Sequence, residues 1–155
     1  MKVIYHCYGG THSSVVAASI HTGLLPEKTL PDQQDLLNIE LFDMVHQIKH
    51  GKLHYFGMDT LQHEVYSCGM KSSSDIVMTA MKDLLQQYGY NPNEELYFVD
   101  TLHCVNISMR VGGYMSQRLN LTSLGRPLVL HGTLRAYREL AHQVQKVKSE
   151  LKKKG

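Results

Sequence analysis

The run Val3-Ile4-Tyr5-His6-Cys7-Tyr8-Gly9-Gly10-Thr11-His12-Ser13-Ser14-Val15-Val16-Ala17-Ala18 constrains the fold more than any other part of the chain. An apolar stretch of strand length breaks into a glycine-polar turn that becomes a helix. Gly9 and Gly10 let the backbone turn with its amides exposed, and Thr11, Ser13 and Ser14 are placed to cap the helix. The positive end of that helix then faces a ligand, so the run reads as a cradle for an anion.

A second copy of the design follows. Shifting the sequence by 61 positions sets Tyr5 on Tyr66, Cys7 on Cys68, Thr11 on Ser72, Ser13 on Ser74 and Val16 on Val77. The second turn, Cys68-Gly69-Met70-Lys71-Ser72-Ser73-Ser74-Asp75, carries Lys71 where the first has Gly10. Lys71 would supply a cation, with Ser72 and Ser73 beside it, and two such turns side by side would hold opposite ends of one anion. Strand-turn-helix units also resemble one another without duplication, because Ser and Thr favour helix starts in any fold.

Between and after these turns the elements alternate. The pattern predicts a strand at 2–8, a helix at 13–25 ended by Gly23 and Pro26, and helical material from Pro31-Asp32 to Gly51. Runs 52–57 and 63–68 read as a hairpin, followed by a helix at 73–88, a strand at 95–100 and a helix at 106–119. Gly112-Gly113 is costly inside a helix, so close packing or a break is expected there. Gly125-Arg126-Pro127 reads as the start of a strand, Leu128-Val129-Leu130, and Gly132-Thr133 as the start of the last helix. The expected architecture is therefore an α/β three-layer sandwich with a mainly parallel sheet and one antiparallel hairpin at its edge.

A chain of 155 residues, 43% hydrophobic, suits one domain spanning 1–155. Its formal charge of +2 gives no reason to expect nucleic acid, and the five lysines between Lys146 and Lys154 read as the solvated end of a helix. With no leader-like or membrane-length apolar segment, a cytoplasmic protein is expected, in which Cys7, Cys68 and Cys104 are thiols.

Ligands of such sheets sit beyond the carboxyl ends of the strands. Polar residues gather at four expected strand ends: Cys7 to Ser14, Cys68 to Ser74, Asp100 to Asn106, and His131 to Thr133. Asp100 is either a metal-holding acid or a turn residue, and Asn106 either a ligand contact or a helix cap. The spacing of a nucleotide-binding phosphate loop is absent. A strand-end thiol at a helix start fits a thiol phosphatase, but the arginine such loops carry at their far end is replaced by serine. A metal site would draw on His6, Cys7, His12, Cys68, His103 and Cys104, so a divalent metal is a candidate cofactor. His21, His46, His50, His54 and His63 have no such setting and read as surface or helix-flank residues.

Cys7-Tyr8-Gly9-Gly10-Thr11-His12-Ser13-Ser14, Lys71-Ser72-Ser73, Asp100-Thr101-Leu102 with Cys104-Val105-Asn106, Met109-Arg110-Val111-Gly112-Gly113, Gly125-Arg126-Pro127 and Gly132-Thr133 together resemble a small domain-of-unknown-function family from Firmicutes, over residues 1 to about 140. The resemblance implies no activity. It points to the same loops: Gly9, Gly10, Thr11, His12, Ser13, Ser14, Lys71, Ser72, Asp100, Cys104 and Asn106 match its pattern. Cys68 departs from it, which favours Cys7 with Cys104 as the thiol pair.

The sequence thus predicts binding of a small phosphorylated or carboxylated anion, with hydrolysis or group transfer as the reaction if the chain is an enzyme. Cys7 would be nucleophile or His12 general acid-base, Lys71 and Asp100 would assist, and Gly9, Gly10, Thr11, Ser13, Ser14, Ser72, Ser73, Cys104, Asn106 and Thr133 would bind. The alternatives are a Cys/His metal-binding protein and a non-catalytic interaction protein, a homodimer included, using a surface at Met109, Gly112, Gly113, Tyr114 and Met115.

Overall fold

A computed structural model describes residues 1–44, 49–119 and 121–154. Its strands are β1 (Lys2–Cys7), β2 (His54–Met58), β3 (Glu64–Gly69) and β4 (Leu96–Asp100). Its helices are α1 (Ser13–Thr22), α2 (Gln33–Leu37), α3 (Ser74–Gln87), α4 (Pro92–Glu95), α5 (Ile107–Arg118) and α6 (Thr122–Lys154), with one 3-10 turn at Leu102–Cys104.

The four strands lie in the order β2-β3-β1-β4, with β1 parallel to both β3 and β4 and β2 antiparallel to β3. The chain steps from β1 to β3 on one side, then crosses back to β4 on the other. Right-handed crossovers made in opposite directions put their helices on opposite faces of a sheet. Val3, Tyr5 and Val65 accordingly pack with α1 and α6, while Ile4 and Cys68 pack with Val77, Met78, Met81 and Leu85 of α3. The expected α/β architecture with a mainly parallel sheet and an antiparallel edge is what forms.

Two expectations fail. Among the described residues beyond Pro31, helical structure before Gly51 is confined to α2, capped by a reciprocal pair of bonds between Asp32 and Asp35, and 38–43 are turns; the expectation over 45–48 lies outside the described residues. The expectation for His46 lies outside the described residues. The larger error is the strand at 128–130, which belongs to α6 and leaves the sheet with four strands. Pro127 sits in the second turn of that helix, close enough to its start that little of the hydrogen-bond ladder is lost. Burial at Gly125, Val129, Gly132, Thr133, Ala136, Tyr137, Leu140, Ala141 and Val144 has helical spacing. A short apolar run such as Leu128-Val129-Leu130 does not distinguish a strand from a buried helix segment.

Close packing, the first of the two alternatives at Gly112-Gly113, is how α5 meets α6. A Cβ on Gly112 would lie 2.7 Å from the Gly125 carbonyl oxygen, and one on Gly125 would lie 2.6 Å from the Gly112 oxygen. Asn106 fixes the same junction. Its Oδ1 accepts from Met109 N–H at 3.0 Å, and its Nδ2 donates to the Gly132 carbonyl at 2.7 Å.

Candidate functional site

The carboxyl end of β1 opens into a cleft of about 480 Å3, lined by Cys7, Tyr8, Gly9, Thr11, His12 and Ser13 on one side. Leu102, Val105, Met109, Arg110, Gly113 and Tyr114 form the other side. This is the crevice where the strand order reverses, the usual ligand position in open α/β sheets. A hollow of about 530 Å3 lies along α6, lined by Glu27, Lys28 and Tyr137 among others. Volume does not separate the two; only the strand-end cleft brings a thiol, an imidazole and a guanidinium together.

Cys7 lies at the cleft floor, 4 % exposed. The Gly10 N–H donates to its Sγ at 3.1 Å, and Ser14 Oγ shares a second bond with it at 3.1 Å. Gly10 takes φ +75, and a Cβ there would stand 2.6 Å from Gly69 N, so this turn needs glycine on both counts. His12, and no hydroxyl residue, occupies the N-cap of α1, and its side chain makes no capping bond. Two of the three hydroxyls expected to cap it, those of Ser13 and Ser14, are bonded elsewhere. Ser14 instead serves Cys7, while Ser13 accepts from Thr101 Oγ1 at 2.9 Å.

His12 is held from behind. Its Nε2 lies 3.1 Å from Asp43 Oδ1, and Arg126 Nε donates to Asp43 Oδ2 at 3.0 Å. The Asp43 side chain is fully buried. Burial alone would raise its pKa, but the bonds from His12 and Arg126 outweigh this and hold the carboxyl below its usual range. Asp43 takes φ 55, in the left-handed region, where a non-glycine residue is strained. The carboxylate orients the imidazole with Nδ1 as its second functional nitrogen. On the far side the ring packs against α5, where a Cβ on Gly113 would lie 3.3 Å from His12 Cε1.

The other residues named from sequence fall elsewhere. The two cysteine turns do touch, Met70 N–H donating to Cys7 O at 2.9 Å and Lys71 N–H to Tyr8 O at 3.0 Å. Yet Cys7 bonds to α1 while Cys68 packs with the α3 side, so each thiol faces the helix that follows it and the two occupy opposite faces. Lys71, Ser72 and Ser73 do not line the cleft. Burial, above all, pushes the Cys68 thiol up to about 11. Asp100 Oδ1 accepts from Leu102 N–H at 2.8 Å, the turn role of its two alternatives, and Asn106 is a helix cap. Cys104 is 2 % exposed and donates to Gln143 Oε1 of α6 at 3.5 Å, so it makes no pair with Cys7. Thr133 is buried inside α6 rather than at a strand end. Met109, Gly112 and Gly113, expected as a partner surface, are buried, although Tyr114 is exposed.

Asp43, Arg110 and Arg126 were not named as site residues. Arg110, Gly113 and Arg126 stand in the motifs Met109-Arg110-Val111-Gly112-Gly113 and Gly125-Arg126-Pro127, so a signal exists, although the pattern reads Arg126 as a strand start. Asp43 lies 31 residues from His12 in a turn with no motif.

His21 is also misplaced by the sequence. It is 3 % exposed, with Nδ1 at 2.8 Å from Tyr5 Oη and Nε2 at 3.2 Å from Asp59 Oδ2, which His63 Nδ1 also meets at 3.0 Å. Burial holds the pKa of His21 down, as it does that of His6, which packs edge-on to Phe98. The unfolded chain then takes protons at about pH 6.5 that the folded protein refuses, so stability is lost as pH falls below that value. Asp43 and Asp59, with pKa values below the usual carboxylate range, keep their contributions until the pH is far lower. The melting temperature is expected to be lower at pH 5 than at pH 7.5; an unchanged value would mean that His6 and His21 protonate freely in the folded state.

Fold and site together define a single-sheet α/β protein with a thiol-bearing cleft at its parallel strand ends. The chain belongs to the family described as protein of unknown function DUF3189, which it matches over residues 2–149. No curated protein and no solved structure matches it. Among the described residues, no helix is long and apolar enough to cross a membrane.

Proposed function

We propose that this protein binds a small phosphorylated or carboxylated ligand in the β1 cleft and that, for a phosphate ester, it catalyses phosphoryl transfer through Cys7. The observation that carries this reading is the lining itself. Thiol, imidazole, guanidinium and the N-terminus of α1 converge, and no carboxylate is among the described residues lining the cleft. Such a surface attracts anions. The guanidinium missing from the β1 turn is supplied by Arg110 of α5.

In the first step Cys7 Sγ attacks phosphorus, the S–P bond forms, and the bond to the leaving oxygen breaks as that oxygen takes a proton from His12. In the second, water attacks phosphorus and gives its proton to His12, and the S–P electron pair returns to Cys7 as thiolate. Arg110 and the α1 amides balance the charge on the phosphoryl oxygens.

Thermal-shift titration against inorganic phosphate, vanadate, phosphate monoesters and dicarboxylates tests the binding. Stabilisation by phosphate or a monoester that is lost in Arg110→Ala is the expected result. Stabilisation by dicarboxylates alone would retain the site and remove the phosphoryl chemistry; no shift with any of them would favour the interaction reading. That second reading has its own support in Ile107, Val111 and Tyr114, which are 79%, 48% and 59% exposed at helical spacing along α5.

A further inference from the structure

On the far side of the 3-10 turn, away from the cleft lining, a second group of reactive side chains meets α6. The ligand-capable atoms of His103, Cys104 and Glu139 all lie within 4.8 Å of one another, and they are the only such trio among the described residues. We propose that these three residues form a site for one divalent transition-metal ion of the zinc class, joining the 3-10 turn to α6.

The donor set is one imidazole, one thiol and one carboxylate, the mixture that borderline ions such as zinc take up. Tetrahedral zinc with bonds of about 2.0–2.3 Å sets its ligand atoms about 3.3–3.8 Å apart. Closing the trio therefore needs movements of about 1 Å. His103 and Glu139 are exposed and free to swing, whereas Cys104 is the buried, fixed corner.

The surroundings favour a cation. Asp100, His103, Glu139, His142 and Gln143 share a hollow of about 430 Å3, and His142 follows Glu139 by three residues on α6, on the same side of the helix. A cation held there would be compensated by a Cys104 thiolate and by the Glu139 and Asp100 carboxylates. Three protein ligands leave the fourth position to water or to a group entering the hollow. Leu102 and Val105, on either side of the ligand pair, line the β1 cleft, so the ion would brace one wall of that cleft.

The test is cobalt(II) and zinc(II) titration of chelator-stripped full-length protein, read by native mass spectrometry and by sulfur-to-cobalt charge-transfer absorption. One ion per chain is expected. The absorption should vanish in Cys104→Ser, and His103→Ala and Glu139→Gln should each weaken cobalt binding by more than about tenfold. Those two exposed positions keep the test decisive if Cys104→Ser does not fold. Failure to bind either ion, or binding unchanged in both His103→Ala and Glu139→Gln, would overturn the proposal. Neither result bears on anion binding, which is read with the metal absent.

Discussion

Cys7→Ser is expected to reduce turnover of a phosphate monoester by at least about 10³-fold while leaving the fold intact. The hydroxyl is a far weaker nucleophile than the sulfur it replaces. Phosphate binding should persist, because Arg110 and the α1 amides remain. Asp43→Asn gives the companion result. Without the carboxylate, the His12 tautomer is no longer set, and losses of about 10²–10⁴-fold follow in comparable carboxylate-histidine pairs. Steady-state kinetics with circular dichroism of each variant separates these losses from unfolding. Full activity in Cys7→Ser would remove the thiol from the reaction.

Gly125→Ala should produce the largest loss of stability. Its Cβ would stand 2.4 Å from Ser116 Oγ, 2.6 Å from Gly112 O and 2.8 Å from Ser116 N. Two of those atoms are backbone and cannot rotate away, so α5 and α6 must separate. Alanine gains roughly 1 kcal/mol over glycine as a helix former, but overpacking costs roughly 1–3 kcal/mol, more where backbone blocks relaxation. A net loss of about 2 kcal/mol lowers the melting temperature by roughly 4–8 °C in a chain of this size. Gly113→Ala is the contrast. Its Cβ would press on His12 Cε1 at 3.3 Å, a contact the ring relieves by shifting, so turnover should fall with stability held or raised. Equal melting temperatures for wild type and Gly125→Ala would show that the two helices do not meet as closely as described.

The first strand, turn and helix were legible because local rules suffice there: an apolar run, two glycines and a helical pattern need no distant partner. Of the residues it offered, Cys7, Gly9, Thr11, His12 and Ser13 line the cleft. The second turn misled for a reason of topology. Its register places His6 opposite Cys68 and Cys7 opposite Gly69, so the two thiols fall on opposite faces of the pleat. A match of residue types at an offset of 61 does not carry that parity. Pro127 misled by position, since a proline in the second turn of a helix looks the same in sequence as one that ends it. Asp43 was invisible because its role comes wholly from tertiary contact with His12 and Arg126.

The proposed role of Cys7 as a nucleophile in an anion-binding cleft is tested most directly by intact mass spectrometry after acid quench of the protein mixed with a reactive phosphate monoester. The expected result is a transient adduct of one phosphoryl group, mapped to Cys7 and absent in Cys7→Ser. A protein that turns the ester over with no adduct, or that carries the adduct on another residue, would contradict it.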